Sequence, residues 1–208
     1  MFFCASLPDS TARRIAFERN FFSRDSFKII DAVDGRSWTE EDADRFCAHE
    51  LTQLRASLRR QGKKWASPAA IACALTHRDL LLRRAEAIDA ILCEDDATFH
   101  PDFIEAWSRQ SNRQVLREIE GVTLLYHLSR GPVVVEKAPV AKIGPFKAYR
   151  VKSNNVLSAV AYYASPDAAA GIRRVQTPLV TSSDNWHQFK QLGAFKDLYI
   201  MHPAPVTL

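Results

Sequence analysis

Three consecutive carboxylates, Glu94-Asp95-Asp96, follow directly on the apolar run Ile88-Asp89-Ala90-Ile91-Leu92-Cys93. Adjacent anions repel one another, so a folded chain that holds three together needs a compensating charge. A hard divalent cation, which prefers carboxylate oxygens, would supply it, and it would also grip the diphosphate of a nucleotide. If strand geometry persists through the acids, Glu94 and Asp96 point to one side and Asp95 to the other. One acid could then bind the metal while a neighbour bonds a sugar hydroxyl. Acidic triplets are common in surface loops, so the apolar run in front of this one carries the argument for a site.

Two further groups could do chemistry. Cys73 and His77 stand four residues apart and share a helix face, which would suit a soft metal. No second Cys/His pair of suitable spacing completes the set, so zinc is not expected, and a lone histidine is more often structural. In Ser182-Ser183-Asp184-Asn185-Trp186-His187, an acid stands beside an aromatic ring and an imidazole. The ring could cover the apolar face of a sugar while the carboxylate takes hydroxyl hydrogens. Asp184 could equally be a helix N-cap. His202 in the tail could complete a metal site or be plain surface.

The elements that must position these groups can be read from pattern. Phe2 to Leu7 is predicted as a first strand, and Ser10 as the N-cap of a helix with Ile15, Phe17, Phe21 and Phe22 as its stripe. Phe27 to Val33 is predicted as a second strand, closed by the turn signal Asp34-Gly35. A long polar helix is expected from Thr39 to Arg60. Ser67-Pro68 is a helix start whose proline sits at the first helical position, with Ile71, Ala74, Leu75, Leu81, Leu82 and Ala85 as the buried face. The apolar run before the acids reads as a buried strand. In open α/β sheets, ligands bind outside the carboxyl ends of the strands. Pro101 opens a helix expected to reach about Ile119. Val122–Leu128, Val133–Val135, Phe146–Val151 and Val156–Ala164 are strand-like, Ser165-Pro166 starts a short helix, and the tail after Gln176 reads as loop-rich. The β-α-β-α opening argues for an α/β chain with a mostly parallel sheet and covering helices.

At 208 residues, 47% apolar and 25% charged, the chain is expected to be one soluble domain with a real core. Its net charge of +4 is modest, with basic pairs at Arg13-Arg14, Arg59-Arg60, Lys63-Lys64, Arg83-Arg84 and Arg173-Arg174. These pairs lack interleaved aromatic residues, which argues against nucleic acid as a partner. Cys4, Cys47, Cys73 and Cys93 are dispersed with no CxxC, as in a reduced, cytoplasmic protein. Neither a basic signal-peptide start nor an apolar run of membrane-spanning length is present, so membrane contact is expected to be peripheral.

Taken together and in order, these segments resemble glycosyltransferase family 25, the lipooligosaccharide galactosyltransferase family of bacterial surface-glycan synthesis. The residues that carry the resemblance are Ser6-Leu7, Arg13-Arg14, Asp31-Ala32-Val33-Asp34-Gly35, Ile71 to His77, Ile91 to Asp96, Val160 to Tyr163 with Ala168 to Gly171, and Asp184 with Trp186. The chain departs from the family where Ala69 and Ala70 replace a Gly-Glu pair and Ala72 replaces a second glycine. The resemblance implies a GT-A-like, Rossmann-like fold, with about 1–120 binding the nucleotide sugar and about 121–208 the acceptor. It implies a UDP-hexose donor, above all UDP-galactose, and transfer with inversion to a hydroxyl of a lipooligosaccharide or other glycolipid, assisted by Mn²⁺ or Mg²⁺. It further implies Asp96 and Glu94 as metal ligands, with His202 as an extra one, and Asp95, Arg14 and His77 as donor contacts. Asp184 is the implied general base and Asp96 the second catalytic acid. Such an enzyme would work in the cytoplasm, peripherally on the inner membrane. Two rivals are a catalytically inactive nucleotide-sugar or glycan-binding relative, and, ranked well below, a metal-dependent phosphoryl-transfer enzyme using the same acids.

Overall fold

β1 (Phe2–Ser6) is buried along its whole length, as a strand covered on both faces must be. The computed structural model of the protein describes residues 1–208 apart from 22, 24, 25, 63–65 and 84–88; Phe22, Lys63, Lys64, Arg84, Ala85 and Ile88 therefore lie outside the described residues. β2 (Phe27–Asp31) runs parallel to one side of β1 and β3 (Ile91–Glu94) to the other. In this register Ser6 stands beside Asp31 and Ala5 beside Glu94. The crossovers are α1 (Thr11–Glu18), then α2 (Glu40–Asp44), α3 (His49–Arg60) and α4 (Pro68–Arg83). They bring the carboxyl ends of three strands side by side.

The rest of the chain adds β4 (Thr98–Phe99), α5 (Pro101–Ser108), α6 (Gln110–Arg117), β5 (Val122–Leu124), β6 (Leu128–Ser129), β7 (Ala141–Ile143), β8 (Phe146–Arg150), β9 (Val156–Leu157), β10 (Ala161–Ala164), α7 (Pro166–Val175), α8 (Trp186–Gln191), β11 (Leu198–His202) and β12 (Val206–Thr207). Among the described residues, an eight-stranded sheet has the order β2-β1-β3-β10-β5-β11-β8-β7. β10 and β8 run against the other strands, so the sheet is mostly parallel, as expected for an α/β Rossmann-like chain. Successive residues of β1 feed opposite faces: Phe2 and Cys4 join a core with Phe17, Phe99, Phe103 and Trp107, while Phe3 and Ala5 join one with Leu80, Tyr162 and Trp186. Cys4 and Cys93 are buried and all four cysteines are free thiols. No helix among the described residues is long and apolar enough to cross a membrane.

Several expected boundaries moved. The helix expected over Thr39–Arg60 is two: Thr39 and Asp42 form a capping box at the start of α2, but the chain then leaves the helix so that Ala48 N–H can donate to Leu179 O at 2.7 Å. Buried Arg55 of α3 fills the break, pairing with Glu40 and Asp44 and donating to Ala66 O. The helix expected over Pro101–Ile119 is interrupted at Arg109, whose backbone is extended, because Asn112 and Arg113 side chains take the last carbonyls of α5. Ile15 and Leu82, assigned to buried stripes, are exposed. The tail expected to be loop-rich carries α8 and β11, and β11 lies inside the sheet between β5 and β8. Ser67 and Ser165 do start α4 and α7, their hydroxyls accepting from Ala70 and Ala168 N–H at 3.3 Å.

Candidate active site

β3 ends at Glu94, and the chain turns there with Ala97 N–H donating to Glu94 O at 3.2 Å. The alternation expected for the acids is lost in that turn, and Glu94, Asp95 and Asp96 all line one cavity of about 280 Å³ at the carboxyl ends of β1, β2 and β3. α1 sends Arg13 across it: Nε meets Asp95 Oδ1 at 3.0 Å and Nη2 meets Asp96 Oδ2 at 2.6 Å. Ser6 Oγ donates to Asp95 Oδ2 at 2.6 Å, which leaves Asp95 buried and fully engaged. Asp96 differs, for its Oδ1 is buried and has no hydrogen-bond partner among the described residues. Burial, and then the charge of Glu94, push the Asp96 pKa above its ordinary value. A cation placed there would relieve both strains, so the donor set fits a hard metal ion.

Beside these acids, α4 and β3 build a second cluster. His77 Nε2 lies 3.0 Å from Glu94 Oε1, and its Nδ1 lies 3.1 Å from the hydroxyl of buried Tyr162 on β10. Cys73, one helical turn earlier, places Sγ 3.8 Å from the same Glu94 oxygen and 3.5 Å from Ser183 Oγ. Burial alone would lower the His77 pKa, but Tyr162, Cys73 and Glu94 outweigh it and hold it well above its ordinary value. Burial would likewise raise Glu94, yet the hydrogen bond and charge of His77, helped by Arg13, keep it ionised. The pair is therefore a charge-assisted hydrogen bond.

Cys73 and Glu94 also line a second cavity of about 300 Å³ whose other walls include Ala70, Leu128, Ser158, Ser182 and Asp184. Asp184 is not the cap of α8; Asn185 is, its side chain accepting from Gln188 N–H. That leaves the Asp184 carboxylate for the cavity it lines. Two concave spaces thus meet along one wall made by Glu94 and Cys73.

The model of glycosyltransferase family 25, described as an LPS biosynthesis protein, matches residues 1–185. The chain belongs to glycosyltransferase family 25. No curated protein matches it. Family membership makes it a glycosyltransferase of lipopolysaccharide biosynthesis, with a nucleotide-sugar donor and a glycan acceptor. Residues 186–208 lie beyond the match, yet they supply β11 of the central sheet. The alanines that depart from the family pattern sit at the cleft: Ala69 lines the first cavity and Ala70 the second. Ala72 packs so closely on Gly35 that a Cβ on the glycine would fall 2.6 Å from the Ala72 Cβ. The Asp34-Gly35 turn closing the first cavity depends on that close approach.

Not every residue singled out in the sequence comes to the cleft. Arg14 turns away from the acids and ties strand ends together, donating to Ser6 O, Leu7 O and Asp31 Oδ1. Its neighbour Arg13 is the one that reaches Asp95 and Asp96, and two adjacent arginines carry no local mark that tells them apart. Trp186 is not a sugar platform: it is buried, packs on Tyr162 and Phe189, and donates to Ser158 O at 2.7 Å. His187 lines a small pocket with Lys152 and Lys190 instead. Ser6, Tyr162 and Ser183 were missed as site residues, because nothing local marks a serine or tyrosine that acts by contact with a distant segment.

His202 stands at the end of β11, three strand positions from β3 and so about 14 Å along the sheet edge. That is too far to share an ion with Glu94. Its neighbour is His127, whose Nδ1 is buried without a partner among the described residues. Burial, then the charge of His202, lower the His127 pKa below its ordinary value of 6.5. The unfolded chain then binds the proton more readily, so this stability is present above 6.5 and lost as pH falls through the lowered folded value. Thermal unfolding between about pH 5 and about pH 8 should show a shallower acid slope for His127→Asn than for the parent; equal slopes would remove the assignment.

Proposed function

We propose that the protein is a metal-dependent, inverting hexosyltransferase using a UDP-sugar, with UDP-galactose the leading donor and a lipooligosaccharide or other glycolipid hydroxyl the acceptor. The observation that carries this reading is the meeting of two cavities at one wall, one holding the acidic turn and Arg13, the other Asp184. The first takes the donor: it lies at the carboxyl edge of parallel strands, where nucleotides bind in open α/β sheets. Asp96, through its unpartnered Oδ1, and Glu94 would hold Mn²⁺ or Mg²⁺. That ion, when bound, neutralises charge on the departing diphosphate. Arg13 adds a fixed positive charge beside it, and Asp95, engaged by Ser6 and Arg13, holds Arg13 in place. His77 keeps Glu94 ionised and oriented.

The acceptor occupies the second cavity, where exposed Leu128 and buried Ala159 offer an apolar wall for a sugar ring. Asp184 takes the proton of the acceptor hydroxyl as its oxygen bonds to the anomeric carbon and the bond to the diphosphate breaks on the opposite face. Such an enzyme would act in the cytoplasm, peripherally on the inner membrane where its acceptor is displayed.

Turnover of UDP-galactose with and without Mn²⁺ tests the reading. Asp184→Asn should lower kcat by about 10²–10³ with little change in donor binding, the size expected for loss of a general base. Donor-induced stabilisation without metal-dependent turnover of any nucleotide sugar would favour a binding-only relative instead.

A further inference from the structure

We propose that Cys73, His77 and Glu94 form a three-ligand site for a thiophilic divalent cation of the zinc type, beside the hard-metal site of Asp96 and sharing Glu94 with it. The cysteine and histidine alone gave no reason to expect zinc, because four-residue spacing on one helix supplies two ligands only. Folding supplies the third. β3 delivers Glu94 to the pair, and the Sγ, imidazole nitrogen and carboxylate oxygen all lie within 4.8 Å of one another. Ligands held at zinc bond lengths with tetrahedral angles are about 3.3–3.8 Å apart. The His77–Glu94 and Cys73–Glu94 separations, 3.0 and 3.8 Å, bracket that range.

Three further features fit a metal rather than a plain ion pair. The donor set of one thiol, one imidazole and one carboxylate is soft and borderline, whereas Mg²⁺ and Ca²⁺ select oxygen alone. Buried Tyr162 holds the far ring nitrogen of His77, the outer partner that metal-bound histidines almost always have, and it leaves Nε2 to face Glu94. Ser183 Oγ stands at 3.5 Å from the Cys73 sulfur and can support a thiolate. All three ligands line the first cavity, so a fourth position opens to solvent, the pattern of three protein ligands plus an open site. On binding, the Cys73 thiol and the Nε2 of His77 give up their protons to solvent and the cation takes their place.

Co²⁺ titration of chelator-stripped protein tests this without reference to transferase activity. The expected result is a thiolate-to-cobalt charge-transfer band with tetrahedral d–d absorption, reversed by Zn²⁺, at one ion per chain. Cys73→Ser should remove the band, Cys47→Ser should keep it, and Tyr162→Phe should weaken affinity about 10–100-fold. Should Cys73→Ser fold poorly, alkylation of the parent protein serves: Zn²⁺ should protect Cys73 from iodoacetamide, with mass spectrometry reading each thiol. No charge-transfer band, a band that survives Cys73→Ser, or unprotected Cys73 would overturn the proposal while leaving the transferase reading intact.

Discussion

Asp96→Asn should lower glycosyl transfer by about 10⁴-fold while leaving the melting temperature nearly unchanged. The size follows from an anionic ligand at the donor diphosphate, where charge stabilisation amounts to about 5–6 kcal/mol and each 1.4 kcal/mol is about tenfold in rate. The unchanged fold follows from the local geometry. Asp96 has one buried oxygen without a partner among the described residues and a raised pKa, so its ionised form is a cost to the empty protein. Its other oxygen meets an Arg13 that is half exposed and retains Asp95. The amide keeps the shape and removes the charge. Mn²⁺ binding, followed by loss of the free-ion paramagnetic signal, should weaken in parallel with activity. Full activity in Asp96→Asn, or weak activity with undiminished Mn²⁺ binding, would remove the metal role of this residue.

Gly171→Ala should destabilise the fold by about 3 kcal/mol or more, at the upper end of overpacking costs. Gly171 lies in α7, where an alanine with room around it would stabilise the helix by about 1 kcal/mol. There is no room: a Cβ there would fall 1.8 Å from the carbonyl oxygen of Ala194 and 2.7 Å from its carbon. Both atoms are backbone, in the turn that leads from α8 into β11, so relief requires moving α7 off the sheet. At about 2–4 °C per kcal/mol for a chain of this size, a fall of about 10 °C in Tm is expected by scanning calorimetry. A rise of a few degrees would mean that helix and turn are not in contact.

Where local signals governed, pattern and structure agree. Ser67-Pro68 and Ser165-Pro166 begin helices because a capping hydroxyl and a fixed proline φ act within one turn. β1 and β2 are apolar runs bounded by turn residues, and both form close to where pattern places them. Helix ends set by remote partners were less legible. Nothing between Thr39 and Arg60 announces that Phe46 and Ala48 will bond to Leu179, and those bonds divide α2 from α3. β11 has no local signature for another reason: Leu198-Tyr199-Ile200-Met201 is buried on both faces, so it lacks the alternation that identifies a half-exposed strand.

The same division holds at the cleft. Residue type and spacing alone determined that three carboxylates would close a buried strand, that Cys73 and His77 would share a helix face, and that the chain carries the segments of glycosyltransferase family 25. The tertiary structure alone decided which arginine meets the acids, because one residue is 100° of helix rotation and the phase of α1 is set by what it packs against. It also turned Asp95 and Asp96 into the cavity, buried Trp186, carried His202 about 14 Å away, and delivered Glu94 to Cys73 and His77. Each of these outcomes depends on contacts between segments tens of residues apart, which no local pattern encodes.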